Sequence, residues 1–360
     1  MKARTLLIQL AGVLCLAASS LHADPYTQHG ELKPSTPPSR GEQPPEITPN
    51  AGPKTVWAAD PFFTADFIYW TARQEGLAYA ISGADIGILS LDTAPGRIHQ
   101  PDWSFEPGFK VAAGVKIQHD GWDVYANYTW LHSDARDSIS NPNGFLPTLP
   151  NFLLILFNIL PNLPSGELSL GKTHWSHHFN TIDLELGRDY YISRFITLRP
   201  HVGLKGSWQD QDVRTSYHIT DGTTLSIHNH QDSWGIGVRT GLDTCWYFTR
   251  SFGLYGDFAL SGLWSGFNTS RKDTNSSPNN PENVYLDTGE VIHSVKPVIE
   301  FGIGLRYEYL YRNDDFRFLI QAGWEEQIWI DNNHLVDVAE YGDKGSLSLQ
   351  GFTLEARLDF

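Results

Sequence analysis

The sequence predicts an all-β protein: a transmembrane antiparallel up-and-down β-barrel of about ten strands, with twelve also compatible, carrying long extracellular loops and short periplasmic turns. Three observations carry this. Apolar and polar residues alternate with a period of two over most of the chain. Short and long connections follow one another in turn. The chain also ends in a strictly alternating segment closed by Phe360. A mean hydropathy of -0.30 and 41% hydrophobic residues exclude a polytopic helical membrane protein, whose spans each need about 20 mostly apolar residues. A barrel hides its apolar residues in alternation and escapes that test.

The first element is an export signal. Lys2 and Arg4 precede the apolar run Leu6 to Leu16, and the small residues Ala17, Ala18, Ser19 and Ser20 lead to Ala23. This is the layout of a secretory signal peptide, residues 1–23. Its removal takes Lys2, Arg4 and Cys15 with it, so the formal charge of -15 becomes -17 and Cys245 is left as a single cysteine, unable to form an internal disulfide. Residues 24–58 are read as a disordered Pro-rich periplasmic tail, with eight prolines between Asp24 and Val56 and no periodicity. The barrel is assigned to residues 59–360.

Strands follow in order. Phe63, Ala65, Phe67 and Tyr69 alternate with Thr64, Asp66, Ile68 and Trp70; Phe109, Val111, Ala113, Val115 and Ile117 with Lys110 and Lys116. After the turn at 119–121, Trp122, Val124, Ala126, Tyr128 and Trp130 alternate with Asp123, Tyr125, Asn127 and Thr129. Ile182, Leu184 and Leu186 oppose Asp183 and Glu185, and Val202 and Leu204 oppose His201 and Lys205. The same parity sets Ile236 and Val238 against Arg239, Phe258 against Asp257, and Phe301, Ile303 and Leu305 against Glu300 and Arg306. Phe318 and Ile320 oppose Arg317 and Gln321. Short connections at 119–121, 192–195, 249–251 and 311–315 separate long polar ones near 75–104, 134–172, 209–232, 267–292 and 332–346. The segment 77–91 offers the additional hairpin of a twelve-stranded count.

A soluble β protein would bury the apolar face as a core. The aromatic residues argue otherwise, gathering at strand ends (Tyr69, Trp70, Trp130, Tyr190, Tyr191, Trp208, Trp234, Trp246, Trp264 and Trp324) as interfacial girdles do. Phe352, Leu354, Ala356, Leu358 and Phe360 resemble the C-terminal signal that the barrel-assembly machinery reads in bacterial outer-membrane proteins.

A broader resemblance covers residues 60–360. Asp66-Phe67-Ile68-Tyr69-Trp70, Gly121-Trp122-Asp123-Val124-Tyr125, Arg199-Pro200-His201-Val202-Gly203-Leu204-Lys205 and Trp234-Gly235-Ile236-Gly237 are similar to the major outer membrane proteins of Legionella and environmental chlamydiae. That resemblance implies an outer-membrane, pore-forming barrel in a Gram-negative bacterium. The cysteine cross-linking of some chlamydial members has no counterpart here.

The function expected is a porin-like channel for passive diffusion of small polar solutes, a structural major outer membrane protein, or both. The alternative is a surface-exposed adhesin or partner-binding barrel with a closed lumen, and the third reading is an outer-membrane hydrolase. The pore-lining candidates are Lys110, Lys116, Arg199, Lys205, Arg239, Arg306, Arg317 and Arg357 facing Asp123, Asp183, Glu185, Asp243, Glu300, Glu308, Glu325 and Glu355. Their near balance predicts weak, mildly cationic selectivity. The apolar segment 145–163 is interrupted by Pro147, Pro150 and Pro161, and its residues Phe152, Leu153, Leu154, Ile155, Leu156 and Phe157 are the constriction-loop candidates. For catalysis, His174, His177, His178, His218, His228 and His230 lie near Asp210, Asp212, Asp221 and Asp232, but no activated-serine motif accompanies them and the spacing matches no closed zinc pattern. No enzyme activity, metal or cofactor is therefore expected. The partners expected are the lipid bilayer and lipopolysaccharide, and the barrel-assembly machinery. A homo-oligomer and a host or surface ligand at the loops are compatible with the sequence, whereas the acidity excludes nucleic acid.

Overall fold

The protein is described by a computed structural model over residues 59–82, 97–117, 122–140, 145–147, 168–193, 195–278, 280–311, 316–336 and 345–360. The expected signal peptide, Pro-rich tail and Phe152–Phe157 constriction loop lie outside these residues.

Ten long strands form the wall: β1 (Ala59–Gln74), β2 (Phe105–Ile117), β3 (Trp122–Ser140), β4 (Leu168–Arg188), β5 (Ile196–Ile219), β6 (Thr224–Tyr247), β7 (Phe252–Ser277), β8 (Asn280–Tyr311), β9 (Phe316–Trp329) and β10 (Leu347–Asp359). Each pairs antiparallel with its neighbour in sequence, and β1 pairs with β10 from Phe62↔Asp359 to Gln74↔Leu347, so the sheet closes on itself. Where the strands of the ring pair on both sides, closure leaves no free edge, which a lipid environment requires because it offers no water to unpaired backbone groups. The segment 77–91 adds no wall hairpin among the described residues. Ala80–Ser82 joins Arg97–His99 and Phe145–Pro147 in a separate small sheet.

Parity assigns the faces. Val202, Leu204, Ile236, Val238, Ile303 and Leu305 point outward and are half exposed or more, forming the apolar band. Two aromatic rows bound it. On the periplasmic side Phe63 and Phe316 both meet Phe360 edge-on, at 6.2 and 6.1 Å. On the outer side Tyr69 stacks on Phe105 at 5.5 Å, Phe109 on Trp130 at 5.5 Å, and Trp264 on His293 at 6.1 Å. Trp208 stands opposite Trp234 in this row. Trp70 does not belong to the girdle expected of it. It follows outward Tyr69, so it points inward and is fully buried, its indole nitrogen donating to Thr353 Oγ1 at 3.1 Å.

The connections expected at 209–232 and 267–292 prove to be hairpin extensions of the wall. The β5–β6 register runs unbroken from Ile196↔Trp246 to His218↔Thr224. It closes in a turn where Gly222 takes φ 89° and Asp221 Oδ1 accepts from the Thr223 amide at 2.8 Å. Beyond the girdle the outward face of these strands turns polar while Val213, Tyr217, Ile219, Leu225 and Ile227 are buried on the inward face, so the parity that marks the membrane part is reversed.

Because Val238 is 64% exposed in the middle of the apolar band, Val238→Arg should cost about 2–4 kcal/mol in the bilayer while Val238→Leu should be close to neutral. Urea unfolding of vesicle-inserted protein measures both; equal stability of the two variants would mean that this face meets water.

Candidate functional site

The interior divides into two halves. In the periplasmic half the alternation that sends Val and Leu outward sends charged residues inward from neighbouring strands, and the register brings opposite signs together. Arg199 grips Asp123 with two hydrogen bonds, Nε to Oδ2 at 2.9 Å and Nη2 to Oδ1 at 2.6 Å, and donates through Nη1 to Asp243 at 2.7 Å and Glu185 at 3.2 Å. Lys205 joins Asp183 at 2.8 Å and Glu300 at 2.7 Å. Arg239 bonds Glu300 at 2.8 Å and also Glu185. Lys110 pairs with Glu325. Nearer the periplasm, Asp359 gathers Arg357 at 2.6 Å, Arg317 at 2.7 Å and Lys116 at 3.3 Å, while Glu308 accepts from the Tyr247 hydroxyl at 2.7 Å. Arg306 donates to Gln321 at 3.0 Å, and Gln321 in turn to Glu355. All sixteen sequence-predicted interior residues thus face inward, and all but Lys205 and Glu308 line a cavity of about 230 Å³. Buried charges need this saturation with partners, since each left alone would cost several kcal/mol of lost hydration.

The outer half is built around an apolar cluster. Ile68 and Trp70 of β1, Leu131 of β3, Trp175 and Phe179 of β4, Val213 of β5, Leu263 of β7, Val298 of β8, Trp329 of β9 and Leu349 of β10 form one buried cluster. Phe179 and Trp329 come from strands five places apart in the ring of ten, which is diametrically opposite. Their rings nevertheless meet edge-to-face at 5.4 Å, so at this level side chains bridge the lumen. Trp175 meets Trp103 in the same manner at 5.1 Å.

Above them the chain after β9 folds into the barrel. Asp331 takes φ 56°, turning Asn332 inward to full burial. The Asn332 carbonyl accepts from Gln231 at 3.0 Å, its side-chain amide donates to Gln74 at 3.2 Å, and its side-chain oxygen accepts from Lys296. The His334 amide donates to Gln231 Oε1 at 2.8 Å, and its ring lies 4.1 Å from that of Phe267. One segment thereby ties β1, β6 and β8 together. A second inward segment holds Tyr79, whose carbonyl accepts from the Tyr217 hydroxyl at 2.7 Å. Sequence reasoning missed both. Asn332-Asn333-His334 reads as an ordinary polar loop, and only the buried glutamines Gln74 and Gln231 on inward parity hinted at a polar segment needing partners.

The histidines separate by parity. His177 points inward, fully buried with its ring 5.3 Å from that of Trp175. His218 bonds Thr224 at 2.9 Å at the hairpin tip. The others, joined by His132 and Asp134, form a belt on the outer wall just beyond the Trp row. His174 Nε2 lies 2.9 Å and His132 Nε2 3.0 Å from Asp134, the His178 ring is 4.1 Å from that of His132, and His228 Nε2 lies 2.5 Å from Asp212. His230 lies 3.1 Å from Asp232, and together with Asp210 these two offer ligand atoms within 4.8 Å of one another. A further row carries Arg136, Arg214 and Lys272 in register with His174 and His228. These segments stand outside the membrane-spanning part. Burial disfavours the His230 imidazolium, but its bond to Asp232 and the nearby Asp212 and Asp210 outweigh that and raise its pKa. Burial likewise works against the Asp134 and Asp212 carboxylates, yet bonds to His174 and His228 bring both below the usual range.

A closed ring of ten antiparallel strands, an outward apolar band between two aromatic rows and an inward charged network define a β-barrel of the bacterial outer membrane. The chain belongs to the family described as Legionella pneumophila major outer membrane protein precursor, which matches residues 53–360, and its place is the outer membrane of a Gram-negative cell. Comparison with curated proteins finds no match. Among solved structures, the outer membrane protease OmpT from Escherichia coli is 12% identical with a TM-score of 0.38, covering 86% of this chain and 99% of its own. A major outer membrane protein from Thermus thermophilus is 11% identical with a TM-score of 0.30, over 84% and 100%. A Pseudomonas aeruginosa FadL homologue is 7% identical with a TM-score of 0.26, over 84% and 90%.

The belt gives a pH window. A raised His230 stabilises the fold fully below its ordinary value of 6.5 and loses that contribution as pH rises through its folded value. The lowered Asp134 and Asp212 contribute above their ordinary 3.8 and lose it as pH falls. Amide exchange at 210–218 and 224–232, corrected for intrinsic rate, should therefore be slower at pH 5 than at pH 8, and His230→Gln should remove the difference. Equal protection at both pH values would refute this.

Proposed function

We propose that this protein is a structural major outer membrane protein whose lumen is held shut in the resting state, and which conducts small ions only when its outer plug is displaced. The observation that carries this is the Phe179–Trp329 contact between opposite strands. Ten strands make a narrow cylinder, between eight-stranded barrels filled by side chains and sixteen-stranded ones that hold water, and large inward aromatics fill it.

The general-porin reading, with free diffusion of polar solutes, is disfavoured by the same contact. The closed-lumen surface-binding reading stays close to the proposal, and its ligand would be taken at the loops. A hydrolase reading is disfavoured because the clustered Asp and His residues lie on the outer wall, facing the headgroup region rather than the barrel mouth. We assign that wall to lipopolysaccharide: its basic row of Arg136, Arg214 and Lys272 stands at the height of anionic headgroups. The outward Phe352, Leu354, Ala356, Leu358 and Phe360 are the proposed recognition strand for the barrel-assembly machinery.

In planar bilayers the wild-type protein should be silent or show rare small steps. Trp329→Ala combined with removal of residues 331–336 should produce frequent openings, because both the cross-lumen ring and the inward segment are gone. Large, steady wild-type steps would overturn the proposal.

A further inference from the structure

The charge network is saturated at one end of the cavity and short of cations at the other. Around Arg199, Lys205 and Arg239, each of Asp123, Asp183, Glu185, Asp243 and Glu300 has a cationic partner. Beyond them, Asp66, Asp257, Glu325 and Glu355 line the cavity wall with Lys110 and Arg306 as their nearest cations. Lys110 is committed to Glu325, and Arg306 donates to Gln321. Arg357, the other guanidinium near Glu355, is turned to Asp359 at 2.6 Å. Glu355 is left with the Gln321 amide, and neither Asp66 nor Asp257 makes an ion pair among the described residues.

Asp66 is the telling member. It is 8% exposed, and its Oδ1 has no hydrogen-bond partner. It stands directly opposite Glu355 across the β1–β10 pair, and like charges in that position repel. On the other side of the group, Gly302 sits in register between Asp257 and Glu325. A Cβ there would lie 3.2 Å from Glu325 Cγ and 3.5 Å from Asp257 Oδ2, so the glycine keeps open the space those two acids face. A buried carboxylate with one unpartnered oxygen, on the wall of a cavity where these four acids outnumber their nearest cations by two, calls for a counter-ion.

We propose that the luminal cavity binds one hydrated alkaline-earth cation, Mg²⁺ or Ca²⁺, among Asp66, Asp257, Glu325 and Glu355. Oxygen-only ligands and a double negative excess suit a hard divalent ion. Among the described residues the grouping with ligand atoms within 4.8 Å is the outer-wall Asp210–His230–Asp232, so the luminal carboxylates reach their ion through its water shell. The cavity these four acids share with the rest of the network is about 230 Å³, far above the roughly 10–15 Å³ that one water needs. Asp189 and Tyr191 beside the turn before β5 also line the cavity, which therefore extends toward the periplasmic end. The site is independent of whether the plug opens.

The test is calorimetric titration of the refolded full chain with MgCl₂, CaCl₂ and putrescine at fixed ionic strength. An Asp210→Asn/Asp232→Asn background removes the outer-wall cluster. Saturable binding of one Mg²⁺ or Ca²⁺, weakened at least tenfold by Asp66→Asn/Asp257→Asn, supports the proposal. Binding by putrescine alone, binding indifferent to the luminal substitutions, or no saturable binding overturns it. Thermal unfolding gives a second reading. In EDTA Asp66→Asn should melt above the parent, and Mg²⁺ should close the gap by stabilising the parent alone. A variant that melts below the parent in both conditions also counts against the site.

Discussion

Closure of the hydrogen-bonded ring is the constraint from which the rest of this protein follows. Once β1 pairs with β10, each strand must place one side chain in two into a cylinder whose width is set by the number ten. That width is too small for the inward residues of opposite strands to ignore one another. Where they are charged, they must pair; where they are aromatic, they must pack. Both solutions occur here, stacked along the axis, and the change from one to the other falls between Lys110 and Trp70, whose ammonium and indole lie 4.8 Å apart.

The two solutions have different consequences. The aromatic cluster gains from burial and edge-to-face contact. The ionic half gains little net stability, because desolvation offsets attraction, and it tolerates no missing partner. This makes its imbalance informative. A cluster such as Arg199 with Asp123, Asp243 and Glu185 is complete, whereas Asp66 beside Glu355 is not. The inward segment at 331–336 reflects the same pressure in neutral form, with buried Gln74, Gln231 and Lys296 satisfied by Asn332 and His334.

Period two made the wall legible in the sequence. Phe67 and Tyr69 against Asp66, and Leu184 and Leu186 against Glu185, fix both strand and face without any structure. Residue type alone misled where parity was ignored: Trp70 has the chemistry of a girdle residue but the parity of an interior one. The extensions of β5 and β6 were hidden because their outward residues, such as Asp210, Asp212 and His230, are as polar as those of a loop. The apolar stretch 145–163 reads as a constriction, but its residues 152–157 lie outside the described ones, and the inward segment described is the polar run after Trp329. Its insertion depends on hydrogen-bond partners far away in sequence, which no local pattern reveals.

Side chains from opposite walls meet across the lumen at Phe179 and Trp329. Magic-angle-spinning NMR of the protein in lipid bilayers, with ring-labelled Phe and indole-labelled Trp, tests this directly. A short-range proton contact between Phe179 and Trp329 is expected, assigned by its loss in Phe179→Leu. Absence of that contact, with both rings instead exchanging magnetisation with water, would contradict it.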